Sequence, residues 1–298
     1  MTSDSPDNFR ARRQKLPPEA FAIHPDSEPE AVDLIDQYTW NGIVNLPDDV
    51  ALRTSERHGE VLHHAYAAWG YWLGMVLDIQ ALCDPNDDPL AVAVLNATDE
   101  FQASAYAALT GFYRQSIGTL RPALEAMLAA VYFKVLPNKR SFTNWQHGNQ
   151  AGRLWIKTVR RKLAQCDPFP RFEESGDELL ADGGWVVWLY GILSEFLHGR
   201  PAHTDDAGKR IETTNGGMWN SNGPIYAEDA FVLWSRLYFN TLLLAVLLAG
   251  LADPRLVRVT KPNDITYEQY VEKLIDWHPT PGAPLTAATI AEYLMSPR

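Results

Sequence analysis

Residues 190–203 read YGILSEFLHGRPAH, and this stretch indicates the fold of the chain. Tyr190, Ser194 and His198 recur every four residues, so on a helix they form one polar stripe. The positions between them are almost all apolar, and a helix that is apolar nearly all round is buried. Buried polar groups need hydrogen-bond partners. The stretch therefore predicts a buried helix whose polar stripe meets polar groups of another helix.

The partner helix is predicted at residues 112–136. Arg114, Gly118, Arg121 and Glu125 fall along one face of it. An arginine fork and a carboxylate can satisfy a tyrosine hydroxyl, a serine and a histidine together. One interpretation is a structural network that fixes how the two helices pack. The functional alternative is that the histidine of the first stripe titrates near neutral pH and acts as an acid or a base.

The rest of the chain also favours helices, because its apolar positions recur at three-to-four spacing and its prolines and aspartates mark turns. Strand signals are scarce and no internal repeat is found. The predicted fold is an all-α, single-domain helical bundle over 31–265, with a flexible tail over 1–30 and a C-terminal helical extension over 266–298. Further helices are predicted at 48–83, 89–110, 150–165, 176–198, 226–251, 266–276 and 286–295.

Composition limits the function classes. The chain has 298 residues and a net charge of −11, so it is not expected to bind DNA through its overall field. Cys83 and Cys166 form no metal-binding pattern and fit a reducing, cytoplasmic compartment. The most apolar run, 237–252, is shorter than the about 20 residues of a membrane span. We expect it to be a buried core helix, and we predict no membrane association.

Two segments carry a family resemblance. YAALTGFYRQSIGTLRPALEAML (106–128), followed by WLYGILSEFLHGRP (188–201), resembles the HEPN-like helical families of prokaryotic proteins. That superfamily includes toxin, abortive-infection and other defence ribonucleases. The resemblance implies an HEPN-like bundle, a homodimer and a role in a defence or toxin–antitoxin-type system. If the protein is an enzyme, the resemblance implies a metal-independent endoribonuclease.

Catalytic members of that superfamily carry an arginine, four to six residues and then a histidine. The residues before His198 depart from this order, since none of those four to eight positions earlier is arginine, and Arg200 follows the histidine instead. If the chain cleaves RNA, His198 would be the base and Arg200 or Arg121 would supply positive charge to the phosphate. In the alternative, the protein is a non-catalytic helical interaction protein that binds a protein partner. The candidate catalytic residues are His198, Arg200, Arg121, Glu125, Tyr190 and Ser194.

A block of positive charge is the second candidate site. No acidic residue lies between Glu125 and Asp167. The cations of this interval include a set that shares one face of the predicted fourth helix, where RNA or another phosphate ligand could bind and stack a base on a tryptophan. The alternative is a solvated face that pairs with the acidic run 167–182 or with a partner protein. The candidate residues are Arg153, Lys157, Arg160, Arg161 and Trp155.

No metal or cofactor is predicted. The chain lacks the glycine-rich nucleotide-binding loops, the zinc-protease motif and the serine-hydrolase motif. The neighbouring His63 and His64 point about 100° apart on a helix and cannot easily share a ligand. Another group has ligand-type side chains at a spacing that matches no known metal motif: His198, His203, Asp205 and Asp206.

Overall fold

A computed structural model describes residues 41–84, 87–147, 154–167, 169–173, 184–197, 224–258, 265–277 and 283–296. These residues are helical and contain no strand, which confirms the predicted all-α bundle. A π-helical turn covers Asn41–Asn45, and 3₁₀ turns cover Phe169–Phe172 and Leu256–Arg258. The α-helices are α1 (Leu46–Leu82), α2 (Pro89–Leu109), α3 (Tyr113–Val135), α4 (Lys139–Gln146), α5 (Ile156–Leu163), α6 (Gly184–Leu197), α7 (Glu228–Ala252), α8 (Tyr267–Asp276) and α9 (Ala283–Met295).

The core is built around α7, the apolar helix that the sequence predicts at 226–251. Every side chain from Leu237 to Ala249 is buried, and α7 packs against α2, α3, α8 and α9. Two of its buried polar side chains bond to its own backbone: Thr241 Oγ1 donates to the Leu237 carbonyl (2.7 Å) and Asn240 Nδ2 to the Arg236 carbonyl (2.8 Å). Among the described residues, α7 is the helix long and apolar enough to cross a membrane, but 83% of its apolar window is buried inside the fold. The predicted core helix is therefore confirmed.

The most extensive helix contact is that of α2 with α3. Ser104 Oγ donates to the Ser116 carbonyl, and Ser116 Oγ donates to the Ser104 carbonyl, each at 2.7 Å. These small side chains let the two backbones approach closely while both hydroxyls stay satisfied. The helices are joined by a short turn at Gly111, whose φ of +84° suits glycine.

The outer helices complete the bundle. α1 packs on α2 and breaks its helical geometry at His58 (φ −130°, ψ 28°). At the other end of the chain, α8 and α9 pack on α7, and α8 also touches α1. Buried side chains of the two last helices, such as Tyr270 and Ile290, belong to the same core cluster as α7. The predicted C-terminal extension therefore shares the core of the bundle.

Two local predictions need correction. The sequence predicts no helix at α4, although Asn138 caps this helix by accepting a hydrogen bond from the Ser141 amide (3.0 Å). The helix predicted at 150–165 is α5, which begins only at Ile156. α3 continues from Tyr113 to Val135 with Pro122 inside it.

Candidate functional site

The two predicted polar stripes meet where α3 packs against α6. Arg121 Nε donates to Glu125 Oε1 (2.8 Å) and Arg121 Nη2 donates to the Tyr190 hydroxyl (2.8 Å). The Tyr190 hydroxyl in turn donates to Glu125 Oε1 (3.1 Å). We call these three residues the α3–α6 triad. Each member bonds to both of the others, so the contact predicted between the arginine, the carboxylate and the tyrosine is present.

Local packing brings the triad together. Gly118 lies one turn before Arg121, and a Cβ at this glycine would be 4.0 Å from Leu197 Cα, so α6 passes close to α3 here. One turn earlier, Arg114 Nε donates to the Phe196 carbonyl of α6 (3.4 Å). The polar stripe of α3 therefore contacts α6 between Tyr190 and Leu197.

Ser194 does not join the triad. Its Oγ donates to the carbonyl of Tyr190 one turn earlier in the same helix (2.5 Å), a common way for a serine to be satisfied inside a helix. The described part of α6 ends at Leu197, so His198 and Arg200 lie outside the described residues. The role predicted for them stays a prediction.

The electrostatics of the triad favour a neutral tyrosine. Burial, followed by the negative charge of Glu125, raises the pKa of Tyr190, and the nearby Arg121 opposes this only in part. The guanidinium also lies over the Tyr190 ring, 4.8 Å from its centroid. The Arg121 side chain is 14% exposed and that of Glu125 is 37% exposed. The triad is thus a partly buried polar contact between two helices, with its carboxylate at the edge open to solvent.

The basic block is only partly available to a ligand. Arg160 makes a bidentate ion pair with Glu173, both N···O distances being 2.8 Å, and is thereby neutralised. Lys134 is likewise paired, with Asp88 at 2.6 Å. Arg153 lies outside the described residues. The predicted pairing of this block with the acidic run 167–182 is therefore correct for Arg160, which we remove from the candidate phosphate ligands.

The remaining cations of the block are exposed. On α5 the apolar residues face inward, while Lys157 and Arg161 lie one turn apart on the outer side and Lys162 donates to the Tyr132 hydroxyl (3.0 Å). Trp155, just before α5, is 63% exposed. The start of α4 adds two more exposed cations, and both helices pack at the end of α3. We call this surface the basic face; it consists of Lys139, Arg140, Lys157, Arg161 and Lys162, with Trp155.

A third polar cluster lies at the break in α1 and is absent from the sequence predictions. His58 Nε2 and the Tyr226 hydroxyl are 3.0 Å apart, and the imidazole stacks on Phe231 at a centroid distance of 4.2 Å. The guanidinium of Arg53 lies over the Tyr226 ring (4.7 Å), and Arg57 is exposed beside it. Burial lowers the pKa of His58; the charge of Arg57 also lowers it, against an opposing effect of Glu228.

The signal that could have located this His58 cluster is in the sequence. Arg53 precedes His58 with four residues between them, which is the order that the HEPN-like resemblance implies for its catalytic members. Its partner Tyr226 is distant in the chain and carries no comparable signal. The break in α1 changes the direction of the imidazole relative to a straight helix, so helical periodicity alone could not predict the contact.

Among the residues that the structure describes, no group of three or more histidine, cysteine or acidic side chains could hold a metal ion. His203, Asp205 and Asp206 lie outside that part of the chain, and His64 stacks on Trp277 (5.0 Å between centroids).

Comparison of the chain with models of protein families, with characterised proteins and with solved structures gave no significant match.

Proposed function

We propose that the protein is an HEPN-like helical protein that binds RNA through its basic face. The observation that carries the proposal is the set of exposed cations on α4 and α5 in a chain whose net charge is −11. No acidic residue lies in the sequence between Glu125 and Asp167, so these cations are not neutralised by neighbours in the chain. A local positive field of this kind attracts a phosphate backbone.

The exposed indole favours RNA with unpaired bases. Trp155 is exposed immediately before α5 and lies two residues before Lys157 in the sequence, so the indole and the lysine belong to the same end of the helix. Stacking on an aromatic side chain contributes about 1–3 kcal/mol per base and tolerates any sequence. We therefore expect weak sequence preference and a strong dependence on salt.

The proposal is tested by the double substitution Lys157→Glu with Arg161→Glu. We expect the Kd for a labelled single-stranded RNA of about 20 nucleotides to rise at least about tenfold, and the slope of log Kd against log salt to fall by about one to two. The matched control exchanges the same residues without changing charge, Lys157→Arg with Arg161→Lys, and should bind as the wild type does. Equal binding by both double variants, or salt-independent binding by the wild type, would contradict the proposal.

A second candidate function is metal-independent RNA cleavage, and the His58 cluster favours it. The lowered pKa of His58 leaves a neutral imidazole that can accept a proton, while Arg53 and Arg57 can bind a phosphate and Tyr226 offers a hydroxyl. His198 is the other predicted base, with Arg200 supplying positive charge to the phosphate. A protein that cleaves RNA in this way would act in a defence or toxin–antitoxin-type system.

Cleavage is tested with His58→Ala and His198→Ala, each assayed for RNA degradation and for growth inhibition on expression. Loss of both effects in one folded variant would identify the catalytic histidine. If the wild type degrades no RNA, or if both variants retain wild-type activity, the cleavage proposal fails while RNA binding by the basic face stays testable separately.

The alternative is a non-catalytic interaction protein. The α3–α6 triad supports this alternative, because its three side chains satisfy one another and hold two helices together. Under this alternative the basic face would pair with an acidic protein partner. Recovery of a stoichiometric protein complex that the Lys157→Glu and Arg161→Glu variant loses, with no measurable RNA binding by the wild type, would favour it.

A further inference from the structure

A groove lies between α1 and the first turn of α8. Its volume is about 370 Å³, which is within the range of small-molecule sites. Gly70 and Gly74 line its α1 side, and a Cβ at either glycine would meet no atom within 4 Å. The two glycines therefore keep the groove open. It shares no residue with the basic face, the His58 cluster or the α3–α6 triad, so none of the functions proposed above uses it.

Three tyrosines give the groove an aromatic wall. Tyr267 donates its hydroxyl to the Val246 carbonyl of α7 (3.0 Å). Tyr270 likewise donates to the Ala68 carbonyl of α1 (2.8 Å), and Tyr71 lies edge-on to its ring, with centroids 5.6 Å apart. The hydroxyls of the two α8 tyrosines are thus bonded within the core. These two residues therefore contribute ring surface to the groove, and the faces of such rings are electron-rich.

The aromatic surface beside the groove already binds a cation of the protein itself. Tyr71 stacks on Trp277, with ring centroids 6.0 Å apart and an angle of 8° between the planes. Lys273 Nζ lies over the same indole, 5.5 Å from the ring centroid. The faces of aromatic rings attract ammonium groups, most strongly where the ammonium is withdrawn from water. The rings that line the groove belong to a surface that suits an ammonium ion.

The charge of the groove also favours a cation. Among its described lining residues, Asp78 carries a negative charge and no lysine or arginine occurs. A carboxylate can accept about four hydrogen bonds, so Asp78 can bind a ligand ammonium in addition to a partner within the protein.

The first turn of α8 offers little to an anion. The N-terminus of a helix can bind an anion through its unpaired amides, but this one is closed by a capping box. The Thr266 hydroxyl accepts from the Gln269 amide (3.2 Å), and the Gln269 side chain accepts from the Thr266 amide (2.9 Å). Glu268 adds a negative charge to the same turn. Both walls of the groove therefore disfavour a negatively charged ligand.

We infer that this groove binds a small organic amine in its protonated form. The ammonium donates to the Asp78 carboxylate, and the apolar body of the amine packs on the tyrosine rings beside the two glycines. Tyr71 and Asp78 are seven residues apart on α1, which is about 10 Å along the helix axis. An amine with a body of two fused rings is long enough to contact both side chains.

The first test compares three probes that share one body, by isothermal titration calorimetry of the full chain. Tryptamine ends in an ammonium, tryptophol in a hydroxyl and indole-3-propionate in a carboxylate. We expect tryptamine to bind with a Kd of about 1 mM or lower, and at least about tenfold more tightly than either other probe. No binding of tryptamine, equal binding of tryptophol, or a preference for indole-3-propionate would each overturn the inference.

The second test locates the site. Gly74→Leu fills the groove, and Asp78→Asn removes its negative charge at nearly constant shape. Each should raise the Kd for tryptamine at least about tenfold. The matched controls are Gly59→Leu, at another glycine of α1 whose Cβ would meet no atom within 4 Å, and Asp99→Asn, at an exposed aspartate of α2. Both controls should bind tryptamine as the wild type does.

Circular dichroism and thermal unfolding establish that each variant is folded. Gly70→Leu, which fills the same groove, replaces Gly74→Leu if that variant does not fold. Wild-type affinity for tryptamine in a folded groove-filling variant, or in Asp78→Asn, would overturn the inference. An equal loss of affinity in the matched controls would overturn it as well, because the binding would then lie outside the groove.

Discussion

At the scale of single residues, three buried tryptophans link neighbouring helices of this bundle through their indole N–H groups. Trp72, Trp185 and Trp234 are fully buried, and each indole N–H donates to a side-chain oxygen on another helix. The acceptors are Thr98, Asn240 and Ser104, at 2.9, 3.1 and 3.0 Å. An apolar contact tolerates sliding of one helix along another, but these bonds form in one register only. They therefore add specificity to a core whose stability comes mainly from apolar burial.

The α3–α6 triad follows the same rule, and its tyrosine can be removed with little change of shape. Tyr190→Phe deletes two hydrogen bonds but leaves the ion pair of Arg121 with Glu125 intact. We expect the free energy of unfolding, measured by urea denaturation, to fall by about 0.5–1.5 kcal/mol. RNA binding should be unchanged if the triad is structural. Full stability with loss of RNA binding or cleavage would instead place Tyr190 in the functional site.

His58 predicts a pH dependence of stability. Burial, with the help of Arg57, lowers its pKa in the folded protein, so the folded state resists protonation that the unfolded chain accepts. The neutral His58 therefore supports the folded state fully above the unfolded pKa of about 6.5, and this stability is lost as the pH falls through the lower pKa of the folded state. We expect the free energy of unfolding to fall between about pH 7 and pH 5 in the wild type, and to fall less in His58→Phe. Parallel curves for the two proteins would contradict this.

At the scale of elements, the turn between α2 and α3 depends on one glycine. Gly111 has a φ of +84°, and a Cβ there would lie 2.7 Å from the Ile225 carbonyl oxygen and 2.8 Å from Val50 Cγ1. Both the backbone strain and the overlap oppose any side chain. We expect Gly111→Ala to lower the free energy of unfolding by more than about 2 kcal/mol in urea denaturation.

Gly118→Ala is the control for that substitution. Gly118 lies inside α3, where a Cβ would make an ordinary contact at 4.0 Å with Leu197. Replacing a glycine within a helix by alanine stabilises by roughly 0.5–1 kcal/mol. We therefore expect the free energy of unfolding to rise in Gly118→Ala and to fall in Gly111→Ala. Equal destabilisation by both would show that α6 tolerates no side chain at Gly118.

The long helices could be predicted from the sequence because each has many periodic apolar positions and clear turn residues at its ends. α2, α3 and α7 lie within two residues of their predicted bounds. α4 is only two turns long, and its single buried residue, Phe142, gives no periodicity. The contact of the two polar stripes was predictable because four-residue spacing fixes a helix face. The pairing of Arg160 with Glu173 and the contact of His58 with Tyr226 depend on tertiary packing, which spacing does not encode.

At the scale of the whole molecule, a cluster of charges joins helix ends that are distant in sequence. Asp253, just after α7, is buried and accepts hydrogen bonds from Arg255, including one to Oδ1 at 2.9 Å. Lys134 of α3 lies 4.0 Å from the same carboxylate and also pairs with Asp88, the cap of α2. Cys83, which follows α1, donates to Asp253 Oδ2 at 3.5 Å, and burial raises the pKa of its thiol to about 12. The ends of four helices therefore meet at one buried carboxylate.

This cluster should control both the stability of the bundle and its response to acid. Burial alone would raise the pKa of Asp253, but the hydrogen bonds and charge of Arg255 and the charge of Lys134 outweigh it and hold the pKa below its usual value. The ionised Asp253 therefore stabilises the folded state fully above the unfolded pKa of about 3.9, and this stabilisation is lost as the pH falls through the folded pKa.

At neutral pH we expect Asp253→Asn to lower the free energy of unfolding by about 1–3 kcal/mol. The exposed Asp99→Asn should change it by less than about 0.5 kcal/mol. Because the lost stabilisation comes from the ionised carboxylate, the difference in the free energy of unfolding between the wild type and Asp253→Asn should become smaller as the pH falls. A gap that is constant down to pH 3 would show that the carboxylate acts through its shape and not through its charge.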